Sequence, residues 1–230
     1  MQSPGTVDLF GTLACVADPG LGLVFVDVSN PSAPRNVTNY TADGMVWNMT
    51  AASSNRLFVC AQTNSPTPYH IVLLDLSEPS KPRALSRLRS ESFTSMRSWN
   101  DYLFGSQGRY GLTVLDFSNP AKPGRVGHNS SFHEANGLVF AADSQIVLAA
   151  GPDGLGVLQM HPFFTGVSRT GQDITLQWDS FGPARLQRTT TWPNARWDDV
   201  PNSESTNAAS LPATAGSGFF RLLRHQTSQP

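Results

Sequence analysis

The sequence has few charged residues and no long apolar segment. Charged residues occupy 14% of its 230 positions, against roughly 25% in average globular domains, so uncharged polar side chains must cover much of the surface. The formal net charge is −1, which provides no basic field to attract nucleic acid or an anionic membrane surface. No apolar run reaches the length of about 18 residues that a membrane-spanning helix needs, and we expect no membrane insertion.

Other absences exclude several chemistries. The two cysteines, Cys15 and Cys60, are too few for a disulfide framework, and we expect buried free thiols. The segment from Met1 to Asp8 lacks a basic stretch followed by an apolar one, so no signal peptide is predicted in this chain. The sequence contains no nucleophile elbow, phosphate-binding loop or zinc-binding helix pair. We therefore predict no catalytic residues, no cofactor and no metal site.

A motif recurs along the first two thirds of the chain: an apolar run, an aspartate, and then Ser-x-Pro-x-x-Pro. The aspartates are Asp27, Asp75 and Asp116, and Gln159 replaces them in a degraded fourth copy, at intervals of 48, 41 and 43 residues. The apolar run predicts a strand buried on both faces. The aspartate is expected to accept a hydrogen bond from the amide two residues on, and the prolines to end strand pairing.

Two more strands precede each motif, of which the nearer is short and apolar, and a more polar strand follows it. Each repeat is therefore about four strands long and apolar on both faces, so it must stack against copies of itself. Radial stacking of such units gives a β-propeller. We predict an all-β fold, a propeller-type array of about four four-stranded blades over residues 1–163, followed by a small antiparallel β module.

The repeated motif resembles the LVIVD-repeat family, over residues 5 to about 161. The matching residues are Leu23 to Asp27, Ile71 to Asp75 and Leu112 to Asp116, each with its Ser-x-Pro-x-x-Pro. The resemblance implies a β-propeller in bacterial or archaeal proteins that are often exported, and hence an extracellular or cell-surface location. It implies no shared catalytic residues.

A second pattern of short strands occupies residues 166–224. We predict a separate β module with aromatic residues in or near its core, namely Trp178, Trp192, Trp197, Phe219 and Phe220. The module resembles the C-terminal modules, ending in Phe-Phe-Arg-Leu, of large secreted proteins from Verrucomicrobia-like bacteria. Residues 225–230 are expected to form a disordered tail.

One candidate ligand site lies where the innermost strands would meet at the mouth of the propeller channel. His133 and Glu134 are expected to enter the innermost strand of the fourth repeat, and residues of the second and third repeats occupy comparable strands. The candidate site comprises Trp47, Asn48, Arg97, Trp99, His133 and Glu134. The alternative interpretation is that these side chains line a wet channel.

Two functions follow from these patterns. The first is a non-catalytic binding scaffold for an unknown protein or glycan; the alternative is an enzyme with a polar site at the channel, such as a glycan-processing propeller. Because the fourth repeat is degraded, we expect an incomplete ring that either pairs with another copy or belongs to a longer propeller. The alternative is a closed four-bladed ring in which residues 163–169 supply the missing outer strand.

Overall fold

A computed structural model describes residues 6–18, 20–42, 44–52, 55–63, 69–141, 145–180, 184–190, 196–204, 206–212 and 218–224. Within these ranges the regular structure is β-strand, apart from one 3₁₀ turn at Gly151–Asp153. No helix among them is long and apolar enough to cross a membrane. The chain divides into two compact units, Met1–Val139 with Val147–Gly156 and Phe140–Ile146 with Val157–Pro230.

The first unit contains three four-stranded antiparallel sheets, each with its strands in chain order. The first sheet is formed by β1 (Val7–Phe10), β2 (Leu13–Asp18), β3 (Gly22–Asp27) and β4 (Arg35–Tyr40). The second is formed by β5 (Met45–Ala52), β6 (Arg56–Gln62), β7 (Tyr69–Asp75) and β8 (Arg83–Arg89). The third is formed by β9 (Ser95–Trp99), β10 (Tyr102–Ser106), β11 (Leu112–Asp116) and β12 (Gly124–Asn129).

A fourth sheet has three strands, β13 (Gly137–Ala141), β14 (Gln145–Ala149) and β15 (Leu155–Gln159), and its residues fall in both units. Each sheet corresponds to one sequence repeat, and the predicted all-β, propeller-like fold is confirmed. Among the described residues, the degraded fourth repeat is the one whose sheet has no outer strand.

The predicted turn after each apolar strand is present in all three complete repeats. Oδ1 of Asp27, Asp75 and Asp116 accepts a hydrogen bond from the amide of the serine two residues on, at 2.9, 2.9 and 2.7 Å. A β-turn follows, in which the amide of Ala33 donates to the carbonyl of Asn30 with a proline between them. Proline fits this turn because its fixed φ suits the second position and its missing amide is not needed there.

Two apolar cores lie between successive sheets of the first unit. Leu23 and Phe25 of β3 and Cys15 of β2 pack against the second sheet, where Val72 and Leu74 complete the cluster. The opposite face of the second sheet packs on the third, and the rings of Phe58 and Phe117 meet edge to face with centroids 5.0 Å apart. Strand β7 is therefore buried on both faces, as predicted. Both cysteines are buried free thiols.

Polar contacts also join these sheets in chain order. Asp8 of the first sheet accepts a hydrogen bond from the amide of Ala51, and Arg56 of the second forms an ion pair of 2.7 Å with Asp101 beside the third. Among the described residues of this unit, no strand of the first sheet contacts the third extensively. The three sheets do not close a ring.

The second unit contains two further sheets, β16-β17-β20 and β19-β18-β21. Their strands are β16 (Phe163–Thr170), β17 (Asp173–Asp179), β18 (Ala184–Thr189), β19 (Asp198–Asp199), β20 (Ala208–Pro212) and β21 (Phe219–Arg224). Residues 163–170 pair with β17, so they do not supply the outer strand that the closed-ring alternative required. Whether residues 166–224 fold independently stays a prediction.

The aromatic residues predicted for the core of this unit have different environments. Trp178 is fully buried, in a cluster that includes Leu186 and Val200 and against which Phe220 packs. Trp197 is half-buried, and the guanidinium of Arg221 lies 4.4 Å from its ring centre. Phe219 is exposed, which corrects the expectation for that residue. Trp192 and the predicted tail at 225–230 lie outside the described residues.

Candidate functional site

The predicted channel-mouth residues of the second sheet form local contacts. Trp47 lies at a bulge near the start of β5, and its indole Nε1 donates a hydrogen bond to the side chain of Gln62. Asn48 donates through Nδ2 to the carbonyl of Thr94, at 3.3 Å, and so connects the second sheet to the segment before β9. Both contacts hold strand starts in place.

The two candidates on β9 also have local partners. The exposed side chain of Arg97 donates from Nη1 to the carbonyl of Met96, at 2.7 Å. Trp99 is the last residue of β9 and stacks on Tyr102 with the ring centres 6.0 Å apart. Trp47 is near the beginning of β5 and Trp99 is the last residue of β9, so they lie towards opposite ends of equivalent edge strands.

His133 and Glu134 precede β13, which begins at Gly137; the expectation that they enter this strand is therefore wrong. Nδ1 of His133 lies 2.9 Å from Oδ1 of Asp153, and the His133 amide donates to Oδ2 at 2.8 Å. The His133 amide and ring lower the pKa of the Asp153 carboxyl below its ordinary value. Glu134 accepts a hydrogen bond from Asn136 at 2.9 Å.

The structure thus does not bring the six predicted site residues together through hydrogen bonds, and the channel-mouth site stays a prediction. No group of three or more histidine, cysteine, aspartate or glutamate residues in the described part of the chain is arranged to hold a metal ion. The motif aspartates act locally in their turns, and two have a second partner that the sequence did not reveal. Arg35 donates to Asp27 at 3.0 Å, and Arg83 to Asp75 at 3.3 Å.

These arginines stand eight residues after their aspartates, directly opposite them in the outer strand pair. In the third sheet, Gly124 occupies this position opposite Asp116. The next residue of β12 is Arg125, which lies opposite Leu115 and not opposite the aspartate. Arg125 instead lines a surface pocket that was not predicted from the sequence.

The pocket lies at the edge of the third sheet where β10 turns into β11, and it measures about 490 Å³. We call it the arginine pocket; its lining comprises Glu91, Gln107, Arg109, Tyr110, Arg125, His128 and Ser130. The turn places Arg109 and Tyr110 at its rim, because the Gln107 amide and the Gly111 carbonyl close the loop at 2.8 Å. Gly111 has φ +81°, and a Cβ there would lie 2.0 Å from the carbonyl oxygen of Asn129.

The base of the arginine pocket is preorganised. The buried Thr113 hydroxyl donates to Oε1 of Gln107 at 2.6 Å and lies 3.2 Å from Nδ1 of His128. Because the hydroxyl has one proton, its oxygen accepts from Nδ1–H of His128. The histidine therefore directs Nε2 away from the threonine.

The cations of the arginine pocket have no carboxylate partner within the described part of the chain. Arg109 and Arg125 are exposed and form no ion pair there, and Glu91 forms none either. Tyr110 presents an exposed aromatic ring beside them. Such an arrangement combines two fork-shaped donors with a flat amphipathic surface, a chemistry suited to carboxylate ligands. Sequence spacing gave no signal for it, since the residues come from three separate loops and strands.

Comparison with known families identifies the repeat. The model of the LVIVD repeat matches residues 5–42 and 100–129, which include the first and third copies of the motif. The resemblance to LVIVD repeats is therefore confirmed, over the part of the chain that these two segments cover. No curated protein matches the sequence.

Two solved structures share the arrangement of sheets. The computationally designed Ika4 protein superposes with a TM-score of 0.54 at 11% identity, over 70% of this chain and 94% of that chain. The computationally designed Ika8 protein superposes with a TM-score of 0.50 at 9% identity, over 76% of this chain and 55% of that one. At these identities the likeness shows the fold alone. The chain is a β-propeller-like repeat scaffold.

Proposed function

We propose that this scaffold is a non-catalytic binding protein whose arginine pocket holds an acidic segment of a partner protein. The observation that carries the proposal is the pair of arginines, Arg109 and Arg125, which share one pocket and have no carboxylate partner among the described residues. Guanidinium groups bind carboxylates through two parallel hydrogen bonds, so a segment rich in aspartate or glutamate matches both groups.

The remaining lining residues support a peptide ligand. Tyr110 offers a rigid amphipathic ring, a side chain that is enriched in protein-binding surfaces because it loses little entropy on contact. Gln107 and His128 are already oriented by Thr113, so little ordering would be needed on binding. Glu91 can accept hydrogen bonds from backbone amides of the ligand. The volume of about 490 Å³ suits a few residues of an extended chain.

Binding of a labelled twelve-residue peptide of alternating glutamate and alanine tests this function, with the glutamine–alanine peptide as the uncharged control. Fluorescence anisotropy should show binding of the acidic peptide alone. Arg109→Glu and Arg125→Glu should each weaken it by about tenfold or more, because a hydrogen bond to a charged group contributes about 1.5–3 kcal/mol. The exposed Arg188 lies in the second unit, so Arg188→Glu, which makes the same change of charge, is the matched control.

Equal binding of both peptides, or equal losses in all three variants, would contradict the proposal. Binding of an oligogalacturonate instead of the peptide, lost in the two pocket variants, would assign the pocket to an acidic glycan. Export to the medium or the cell surface is also part of the proposal, and it rests on what the resemblance of the repeat implies. Detection of the native protein in cytoplasmic fractions alone would contradict that part.

The second candidate function is an enzyme, and the contact between His133 and Asp153 favours it. A carboxylate that orients a histidine is a recurring element of general base catalysis. The same aspartate also accepts the His133 amide, which gives it a structural role in joining the segment before β13 to the turn before β15. A hydrolase panel decides: turnover that His133→Ala abolishes without unfolding would establish the enzyme and overturn the non-catalytic scaffold.

A further inference from the structure

The first sheet has an apolar face that no other strand covers within the described part of its unit. We call it the open face. On β1, β2 and β3 its side chains form two apolar cross-strand rows, Val7, Val16 and Val24 in one and Leu9, Ala14 and Val26 in the other. Asn39 and Asn36 of β4 continue these rows at the outer strand. Val7 is 63% and Leu9 59% exposed. A contiguous apolar surface of this kind marks an interaction site.

The repeat shows what kind of surface fits the open face. Val24 and Val26 occupy the same repeat positions as Val72 and Leu74 of the second sheet, counted from the motif aspartates. Those two residues are 0% exposed, because the preceding sheet packs over them. The open face is therefore the docking half of an interface that already exists once inside this chain.

The complementary half of that interface is formed by Leu23 and Phe25 of β3, both 0% exposed against the second sheet. Their equivalents in the fourth repeat, again counted from the motif position, are Leu155 and Val157 of β15. These residues are 74% and 56% exposed. One chain thus has two exposed surfaces, the open face and the β15 face, that correspond to the two halves of a sheet-on-sheet interface.

We propose that the open face of one chain packs on the β15 face of a second copy of the same chain. The contact repeats the Leu23–Phe25 interface, with Leu155 and Val157 of the second copy in the place of those two residues. The association is head to tail, because the two surfaces are different. Both contacts can form between the same two copies, and this closes the assembly at a dimer.

Sedimentation velocity of the full chain at concentrations from about 1 to about 200 µM tests the proposal. Weak protein interfaces assemble at concentrations on this order. Mass should rise from one copy towards two. Val7→Glu and Leu155→Glu each place a charge in one half of the interface, and each should weaken association by at least about tenfold. Val167→Glu is the matched control, since Val167 of β16 is 72% exposed and belongs to neither surface.

Mixing the two variants gives the sharper result. The Val7→Glu chain keeps an intact β15 face and the Leu155→Glu chain an intact open face, so an equimolar mixture should form heterodimers through one wild-type contact. Each variant alone should stay monomeric. Circular dichroism confirms folding, and Leu9→Lys replaces Val7→Glu if that variant unfolds.

A wild-type chain that stays monomeric throughout overturns the proposal. Dimers of Leu155→Glu alone also overturn it, because they would show two open faces packed on each other. The arginine pocket lies on the third sheet and shares no residue with either surface of this interface. Failure of peptide binding would therefore leave the proposed association standing, and failure of the association would leave peptide binding standing.

Discussion

Replacement of Val72 by alanine should destabilise the protein much more than the same replacement of Val24. The two valines stand at equivalent repeat positions in the third strand of successive sheets, and each has strands paired on both sides. The loss of β-propensity is therefore shared by the two variants. They differ in packing, because the first sheet covers Val72 fully while Val24 retains part of its exposure on the open face.

The magnitude follows from this difference in burial. Valine to alanine removes the equivalent of two methylene groups, at about 0.8 kcal/mol each when fully buried. The cavity left between two packed sheets adds to that cost, so Val72→Ala should lose about 2–3 kcal/mol. Val24→Ala leaves no enclosed cavity in a single copy, and we expect a loss of about 0.5–1 kcal/mol from partial burial and propensity.

Urea denaturation at about 1 µM, where single copies should predominate, measures both free energies of unfolding. The expected difference between the variants is about 1–2.5 kcal/mol, with similar slopes. Equal losses would refute the reasoning, since they would mean that the open face is covered as fully as the interface between the first two sheets. At higher concentration the cost of Val24→Ala should increase if a second copy packs on that face.

Three further predictions concern packing, pH and thiol reactivity. Gly105→Ala should cost about 1–3 kcal/mol in urea denaturation, because a Cβ there would lie 2.5 Å from the ring of Phe93; at Gly124 no atom lies within 4 Å, and alanine should be tolerated. Hydrogen bonds from the serine two residues on hold the pKa of the Asp75 carboxyl below its ordinary value, so this group stabilises the fold above pH about 4 and less as the pH falls through its folded pKa. Asp75→Asn should therefore flatten the loss of stability between about pH 4 and 2 in thermal melts, and an unchanged profile would exclude this role. Burial raises the pKa of the Cys60 thiol to about 11, so a thiol reagent at about pH 8 should label it only after unfolding, and rapid labelling of the native chain would contradict its burial.

The repeated strands and their turns could be predicted from the sequence because their causes are local. Alternation and apolar runs predicted four strands in each complete repeat, as the first three sheets have them, and the aspartate two residues before a backbone amide predicted the turn at Asp27. The missing outer strand of the fourth repeat was visible as the loss of the motif after Gln159. Side-chain hydrogen bonds over two residues and strand periodicity require no knowledge of distant parts of the chain.

The arginine pocket and the open face were decided only by the tertiary structure. Arg109 and Arg125 are separated by a whole strand and a turn, and their proximity depends on the register between β11 and β12. Val24 and Val72 have the same side chain in the same motif, yet one is covered and the other is not, because burial depends on which sheet has a neighbour. A repeat encodes identical local structure in every copy, whereas the packing of each copy depends on its place in the array.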